Sequence, residues 1–175
     1  NFKDLQSKLP FMFSSQTYKY LGLSNSKKNV LIIPGASHAT KLYPVNKIAR
    51  LSKLLDAKII IIWGSVSERL LAEEIKTLNP KVIIMDQLSL DQLISLVGQV
   101  DLVIGPDTGP THLAWASNIP SVTLFGPTPG YRNTLPSEKN KIIESKSNVN
   151  PLKIDSKDYS IQEIKVEEVF KAANN

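Results

Sequence analysis

The 175 residues are enough for one domain with its own core, and 42% hydrophobic against 21% charged residues is the balance of a soluble globular protein. There are no cysteines and only two histidines, His38 and His112, which excludes disulfide and thiolate chemistry and argues against a zinc site. A formal net charge of +5 suggests an anionic partner, yet the lysines are scattered and aromatics reach only 7%, so no basic, stacking surface points to nucleic acid.

Residues 1–29 are polar and irregular and read as a linker or docking segment. The chain opens on Asn1 rather than Met, without a signal peptide, as expected for a fragment or a processed product. No apolar run approaches the ~20 residues needed to span a bilayer. From residue 30 short, β-branched, non-alternating runs recur: "VLII" at 30–33, "IIIIW" at 59–63, "VIIM" at 82–85, "LVI" at 102–104 and "SVTLF" at 121–125. Such runs fit strands buried on both faces.

Helical patterns lie between them. "VNKIARLSKLLD" carries an apolar stripe of Ile48, Leu51, Leu54 and Leu55, and "SVSERLLAEEIKTL" a partial one of Val66, Leu70, Ile75 and Leu78. "SLDQLISLV" pairs Ser89 with Gln92 as a capping box, and "GPTHLAWAS" is a further short helix. Residues 126–160 should be mostly loop with a strand at "KIIES", and "SIQEIKVEEVFKAA" should pack back on the domain through Ile164, Val169 and Phe170. The alternation predicts an α/β fold, a Rossmann-like, mostly parallel sheet with helices on both faces, over residues 30–175.

In such a sheet ligands bind outside the carboxyl ends of the strands. After the first strand, "PGASHATKLYP" offers Gly35 for close backbone approach, the Ser37 hydroxyl and the charge of Lys41. It is no Walker A loop, and it is either a phosphate contact or a turn with a solvated lysine; His38 has no evident partner. After the second strand, Glu68 in the first turn of a helix either complements the dipole or accepts a ribose diol. After the third, Leu88 either packs in the core or lines an apolar slot for a base.

After the fourth strand comes "GPDTGPTH". Pro110 is placed at the first helical position, so the free N–H groups of Thr108, Gly109 and Thr111 would surround the positive end of the helix, with Asp107 and His112 beside them. Ordinary capping explains part of this stretch; an anion site explains the whole of it. "FGPTPG" follows the fifth strand as a rigid loop. Together the strand ends suggest a nucleoside diphosphate, and the lack of G-x-G-x-x-G disfavours a nicotinamide cofactor.

"DLVIGPDTGPTHLAWASNIPSVTLFGPT", with "PGASHATKLYP" and "WGSVSER" upstream, resembles the C-terminal half of the lipopolysaccharide core heptosyltransferases of glycosyltransferase family 9, through a D-[TS]-G-x-x-H element in matching order and spacing. The resemblance leans toward the enzyme that adds the first heptose. It implies one half of the two-domain GT-B architecture and an inverting transfer of L-glycero-D-manno-heptose from ADP-heptose to the Kdo of lipid A. It also implies a cytoplasmic enzyme, peripheral at the inner face of the bacterial inner membrane, with no cofactor.

By the same resemblance, Ser37 and Lys41 would contact phosphate, with Lys41 stabilising the departing ADP. Glu68 would hold the ribose, Leu88 would lie near adenine and Asp107 would face the sugar hydroxyls. Thr108, Gly109 and His112 would surround the pyrophosphate. The general base and the lipid acceptor site belong to an N-terminal domain that residues 1–29 cannot supply. The competing expectations are a UDP-sugar enzyme or epimerase of the same architecture and a non-catalytic nucleotide-binding module.

Overall fold

The structure, a computed structural model, describes residues 18–20, 22–134 and 136–174. Six strands form one sheet: β1 (Asn29–Ile32), β2 (Lys58–Ile61), β3 (Ile83–Ile84), β4 (Leu102–Pro106), β5 (Ser121–Phe125) and β6 (Asn140–Glu144). Their order is β3-β2-β1-β4-β5-β6, and every neighbouring pair is parallel. The register runs Val30 opposite Ile59 on one side of β1 and opposite Leu102 on the other. β1 is therefore the point at which the strand order reverses.

The strands read as continuous apolar runs because both faces are covered. Val30, Ile32, Ile59, Ile61, Leu102, Ile104, Val122 and Leu124 face one cluster, while Leu31, Ile33, Ile60, Ile62 and Val103 face the other. This is the two-residue alternation of a strand, with both sets apolar. The first cluster is closed by α1 (Val45–Leu54), α2 (Val66–Leu78) and α6 (Val166–Asn174), the second by α3 (Leu90–Val97) and α4 (Gly109–Ala116). A four-residue α5 (Gly130–Asn133) lies between β5 and β6.

Several expectations shift on contact with packing. Ile48, Leu51 and Leu55 of the expected stripe are buried, joined by Ala49, but Leu54 points outward at 46% exposure. Of the expected stripe of α2, Ile75 is buried, beside Ala72, whereas Val66, Leu70 and Leu78 are exposed. α2 meets α1 through its Ala72 side, where a small residue allows close approach.

The last helical pattern is broken into a 3₁₀ turn (Ser160–Glu163) and α6, with Ile164 buried in the gap. Tyr43 Oη and Lys47 Nζ donate to the Ile164 carbonyl at 3.1 and 2.9 Å, which removes that acceptor from a continuous helix. The N-terminal segment is more than a spacer where it is described. Tyr20 and Leu23 pack on the second cluster, Tyr18 N donates to Ser95 Oγ, and Asn29 belongs to β1.

Candidate functional site

The carboxyl ends of β2, β1 and β4 adjoin, so the loops after them meet at the reversal point, where open α/β sheets bind ligands. The centre of the site is Asp107, the first residue past β4, buried at 5% exposure. Its Oδ2 accepts hydrogen bonds from Lys41 Nζ at 2.6 Å, Thr128 Oγ1 at 2.8 Å and Asn133 Nδ2 at 3.0 Å. Its Oδ1 faces His112 Nε2 at 3.0 Å. One carboxylate thus gathers side chains from the loops after β1, β4 and β5.

Burial by itself raises a carboxyl pKa. Here the hydrogen bonds from His112, Lys41 and Thr128, with the Lys41 charge, outweigh it and hold Asp107 well below the usual carboxylate range. With about four lone-pair sites on a carboxylate, four donors leave Asp107 little spare capacity. In this state its role is to position Lys41, His112, Thr128 and Asn133.

Lys41 is not the mobile, solvated charge that the loop sequence suggested. It sits in a 3₁₀ turn (Ala39–Lys41) with 10% of its side chain exposed, in an ion pair with Asp107.

α4 begins beside this pair. Thr108 is its N-cap in extended conformation and makes no side-chain capping bond; Gly109 takes the first helical position and Pro110 the second, one later than the sequence suggested. Proline is tolerated there because the N–H groups of the first turn lack intrahelical partners in any case. A Cβ built on Gly109 would meet nothing within 4 Å, so no packing of this chain requires glycine. The helix dipole and these uncapped donors favour an anion in that open space.

On the other side of Thr108 lies a slot of about 120 Å³ lined by Gly35, Trp63, Glu68, Leu88 and Pro110 among others. That is below the usual volume of a whole small-molecule site, so it suits one part of a larger ligand. Glu68 is both a cap and a wall. Ser65 and Glu68 form a capping box, in which Gly64 N and Ser65 N donate to Glu68 Oε2 at 2.7 and 3.1 Å. The Oε1 atom lies where a Gly35 side chain would begin, 2.2 Å from an ideal Cβ. Glycine at 35 therefore makes room for the carboxylate.

The fold brings Glu68, Leu88 and Thr108 together in the slot and Lys41 and His112 onto the buried Asp107, and Gly109 opens α4 between the slot-lining Thr108 and Pro110. Ser37 is exposed and makes no hydrogen bond among the described residues. Thr128 and Asn133 escaped the sequence reading; the loop "FGPTPG" was visible as rigid, but only tertiary structure brings it to Asp107. Trp63 was visible only as the end of a strand. Its ring lines the slot, held by a 2.8 Å bond from Nε1 to the Met85 carbonyl, with Arg69 stacked 5.2 Å from its centre. Among the described residues no three His, Asp or Glu side chains converge as a metal set.

The family model described as "Glycosyltransferase family 9 (heptosyltransferase)" matches residues 2–162. The chain belongs to glycosyltransferase family 9. It is 40% identical over 159 residues to lipopolysaccharide heptosyltransferase 1 of Campylobacter coli, covering 85% of this chain and 46% of that relative.

Among solved structures, E. coli heptosyltransferase WaaC with ADP superposes with a TM-score of 0.71 at 18% identity, over 85% of this chain and 44% of that one. E. coli ADP-heptose LPS heptosyltransferase II gives 0.68 at 22% identity, over 87% and 47%. These neighbours establish the fold as that of one half of a family 9 glycosyltransferase. This chain spans about half the length of the relatives it matches. The family match also begins inside the segment before β1.

Proposed function

We propose that this chain is the donor-binding half of a heptosyltransferase that uses ADP-heptose to extend the lipopolysaccharide inner core at Kdo, with inversion. The observation that carries the proposal is the buried Lys41–Asp107 pair beside the uncapped N-terminus of α4, at the reversal point of the sheet. A diphosphate in the space before Gly109 meets backbone N–H donors on one side and the Lys41 ammonium on the other.

The nucleoside then falls toward the slot, with the base against Trp63 and Leu88 and the ribose diol facing Glu68. Ser37 is near in sequence and free to turn its hydroxyl to phosphate. The sugar extends toward Lys41, His112, Thr128 and Asn133, the side chains that Asp107 gathers.

As the acceptor hydroxyl attacks the anomeric carbon, the bond to the donor phosphate breaks and the electron pair leaves with ADP. Charge develops on the diphosphate, and preorganised donors held in place before the reaction stabilise it without reorganisation. Asp107 is committed to four donors, so the proposal places the base that removes the acceptor proton outside these 175 residues, with the lipid acceptor site. No cofactor enters this step; the nucleotide is part of the substrate. No helix of the described residues is long and apolar enough to cross a membrane, and the proposal places the enzyme peripherally at the inner face of the inner membrane.

Calorimetric titration of this chain with ADP, UDP and GDP tests the reading. ADP should bind preferentially, with little heptose transfer by the isolated chain. Preference for UDP would favour a UDP-sugar enzyme and overturn the proposal, as would the absence of nucleotide binding.

A further inference from the structure

One wall of the slot has little backbone support. Leu88, just before α3, and Leu93, one turn inside it, form that wall. The strand that leads into them, β3, is two residues long and lies at the edge of the sheet, paired only with β2. A ladder that short leaves the placement of α3 to other contacts.

The stretch ahead of β1 supplies them. Gly22 crosses β3 so closely that a Cβ there would stand 2.5 Å from Ile83 Cδ1, and its φ of +99° lies in the region that favours glycine. Tyr20 Oη donates to the Gln92 carbonyl, Tyr18 N donates to Ser95 Oγ at 3.3 Å, and Gln99 Nε2 donates to the Tyr18 carbonyl at 3.0 Å. Gln92, Ser95 and Gln99 recur at helical spacing, so the stretch lies along one face of α3 and its end. Tyr20, Leu88 and Leu93 all pack against the second apolar cluster.

Gln92 carries this hold to the slot. Its N–H donates to Ser89 Oγ at 3.2 Å, Ser89 N donates to Gln92 Oε1 at 2.8 Å, and Ser89 directly follows Leu88. A helical carbonyl keeps a second lone pair after its backbone bond, so the Tyr20 hydroxyl adds to the helix without competing with it. On its other flank Leu88 is tied to the opposite wall. Trp63 Nε1 donates to the Met85 carbonyl at 2.8 Å and Gln87 Nε2 to the Gly64 carbonyl at 3.1 Å.

We propose that Tyr20 is a positioning residue for the nucleotide: with Tyr18 and Gly22 it straps β3 and α3 to the domain and sets the wall on which the base rests. The inference rests on the donor reading above, which places the base against Leu88. Docking of the strap and occupancy of the slot are then coupled, and the coupling is reciprocal. A base seated on Leu88 and Leu93 favours the placement of α3 that the strap holds, and so tightens the strap. Releasing the strap lowers base affinity with the docked fraction, whereas a diphosphate held at the N-terminus of α4 is indifferent to it.

The test compares ADP with inorganic pyrophosphate, which carries the charge of the diphosphate and no base. Calorimetric titration of Y20A should show ADP affinity lowered roughly fivefold or more and pyrophosphate affinity within about twofold of the parent. Y20F, which keeps the ring and loses only the hydroxyl bond, should fall between parent and Y20A in the same sense. Should Y20A fail to fold, Y20F decides. Hydrogen exchange adds a readout that stability alone does not move: ADP should slow exchange of the Tyr18 amide severalfold, and saturating pyrophosphate should leave it unchanged.

Equal losses for both ligands would make Tyr20 a residue of general stability and overturn the inference. Unchanged ADP affinity in both variants would do the same, as would a Tyr18 amide that responds to neither ligand or to both alike. If ADP fails to bind the parent, the donor reading falls separately, and the strap is judged in the free chain. There Y20F should speed exchange of the Gln92 and Leu93 amides, whose bonds to Ser89 close the first turn of α3, and unchanged exchange would overturn the positioning role.

Discussion

Trp115 Nε1 donates a 3.1 Å hydrogen bond to His112 Nδ1, one turn back along α4, and the two rings meet edge to face. An indole N–H can only donate, so Nδ1 must be the bare nitrogen. The proton then sits on Nε2 and is donated to Asp107 Oδ1 at 3.0 Å. Trp115 and Asp107 together hold the His112 ring, with Nε2 donating to the buried carboxylate, a positioning role. The charged groups facing this imidazole are Asp107 and, through it, Lys41.

W115F keeps the ring and removes that donor. The ¹⁵N signal of Nδ1 should leave its hydrogen-bonded acceptor position while Nε2 keeps its proton and its bond to Asp107, at a stability loss of about 1 kcal/mol for the missing bond. An unchanged Nδ1 signal would show that Trp115 does not donate to this imidazole.

The Lys41–Asp107 pair should be costly to break from one side only. D107N leaves a buried ammonium without its counter-ion and is expected to destabilise the chain by about 3–5 kcal/mol, while K41M/D107N, which removes both charges, should lose less than K41M and D107N added together. Urea denaturation of the four proteins measures the coupling. Additive losses would mean that the pair does not act as a unit.

The same carboxylate sets an acid limit. Its folded pKa lies below its unfolded value, so its contribution is complete above the ordinary aspartate pKa of about 3.9 and fades as pH falls through that value toward the folded one. The denaturation midpoint should therefore drop steeply below about pH 4, and D107N should flatten that part of the curve. A parallel fall in D107N would move the acid sensitivity to other carboxylates, such as Asp158, which also lies below its usual range.

Much of this was legible because strand runs, capping residues and the order of motifs are local. The alternation of runs and helices gave the parallel sheet, and Ser65 and Glu68 realise as a capping box the N-terminal carboxylate that the sequence placed there. The fourfold coordination of Asp107 was not legible, because Thr128 and Asn133 stand 21 and 26 residues away in sequence. Nor was the burial of Lys41, which depends on the neighbouring strand end. The outward turn of Val66 and Leu70 was missed because apolar spacing fixes a helical face but not which face its neighbours cover.

Gly35 and Gly109 flank the same ligand path but should respond differently to alanine. At Gly35 a Cβ would stand 2.2 Å from Glu68 Oε1 and 2.3 Å from Cδ, so G35A must push the Glu68 side chain aside. That disturbs both of its bonds to the loop before α2, at a cost of about 1 kcal/mol, and weakens ADP binding through the ribose partner. Thermal denaturation and calorimetry should both shift; unchanged ADP affinity would remove Glu68 from the nucleotide site.

At Gly109 the same substitution meets no protein atom within 4 Å, and its φ lies outside the left-handed region, so G109A should fold as the parent does or be slightly more stable. The new methyl group would occupy the space in which a diphosphate must approach the first-turn N–H groups. The expected signature is a loss of ADP affinity of at least tenfold, about 1.4 kcal/mol, with the melting temperature unchanged or raised. Because this pairing separates ligand approach from folding, ADP binding by G109A at the parent affinity would place the phosphates away from the N-terminus of α4.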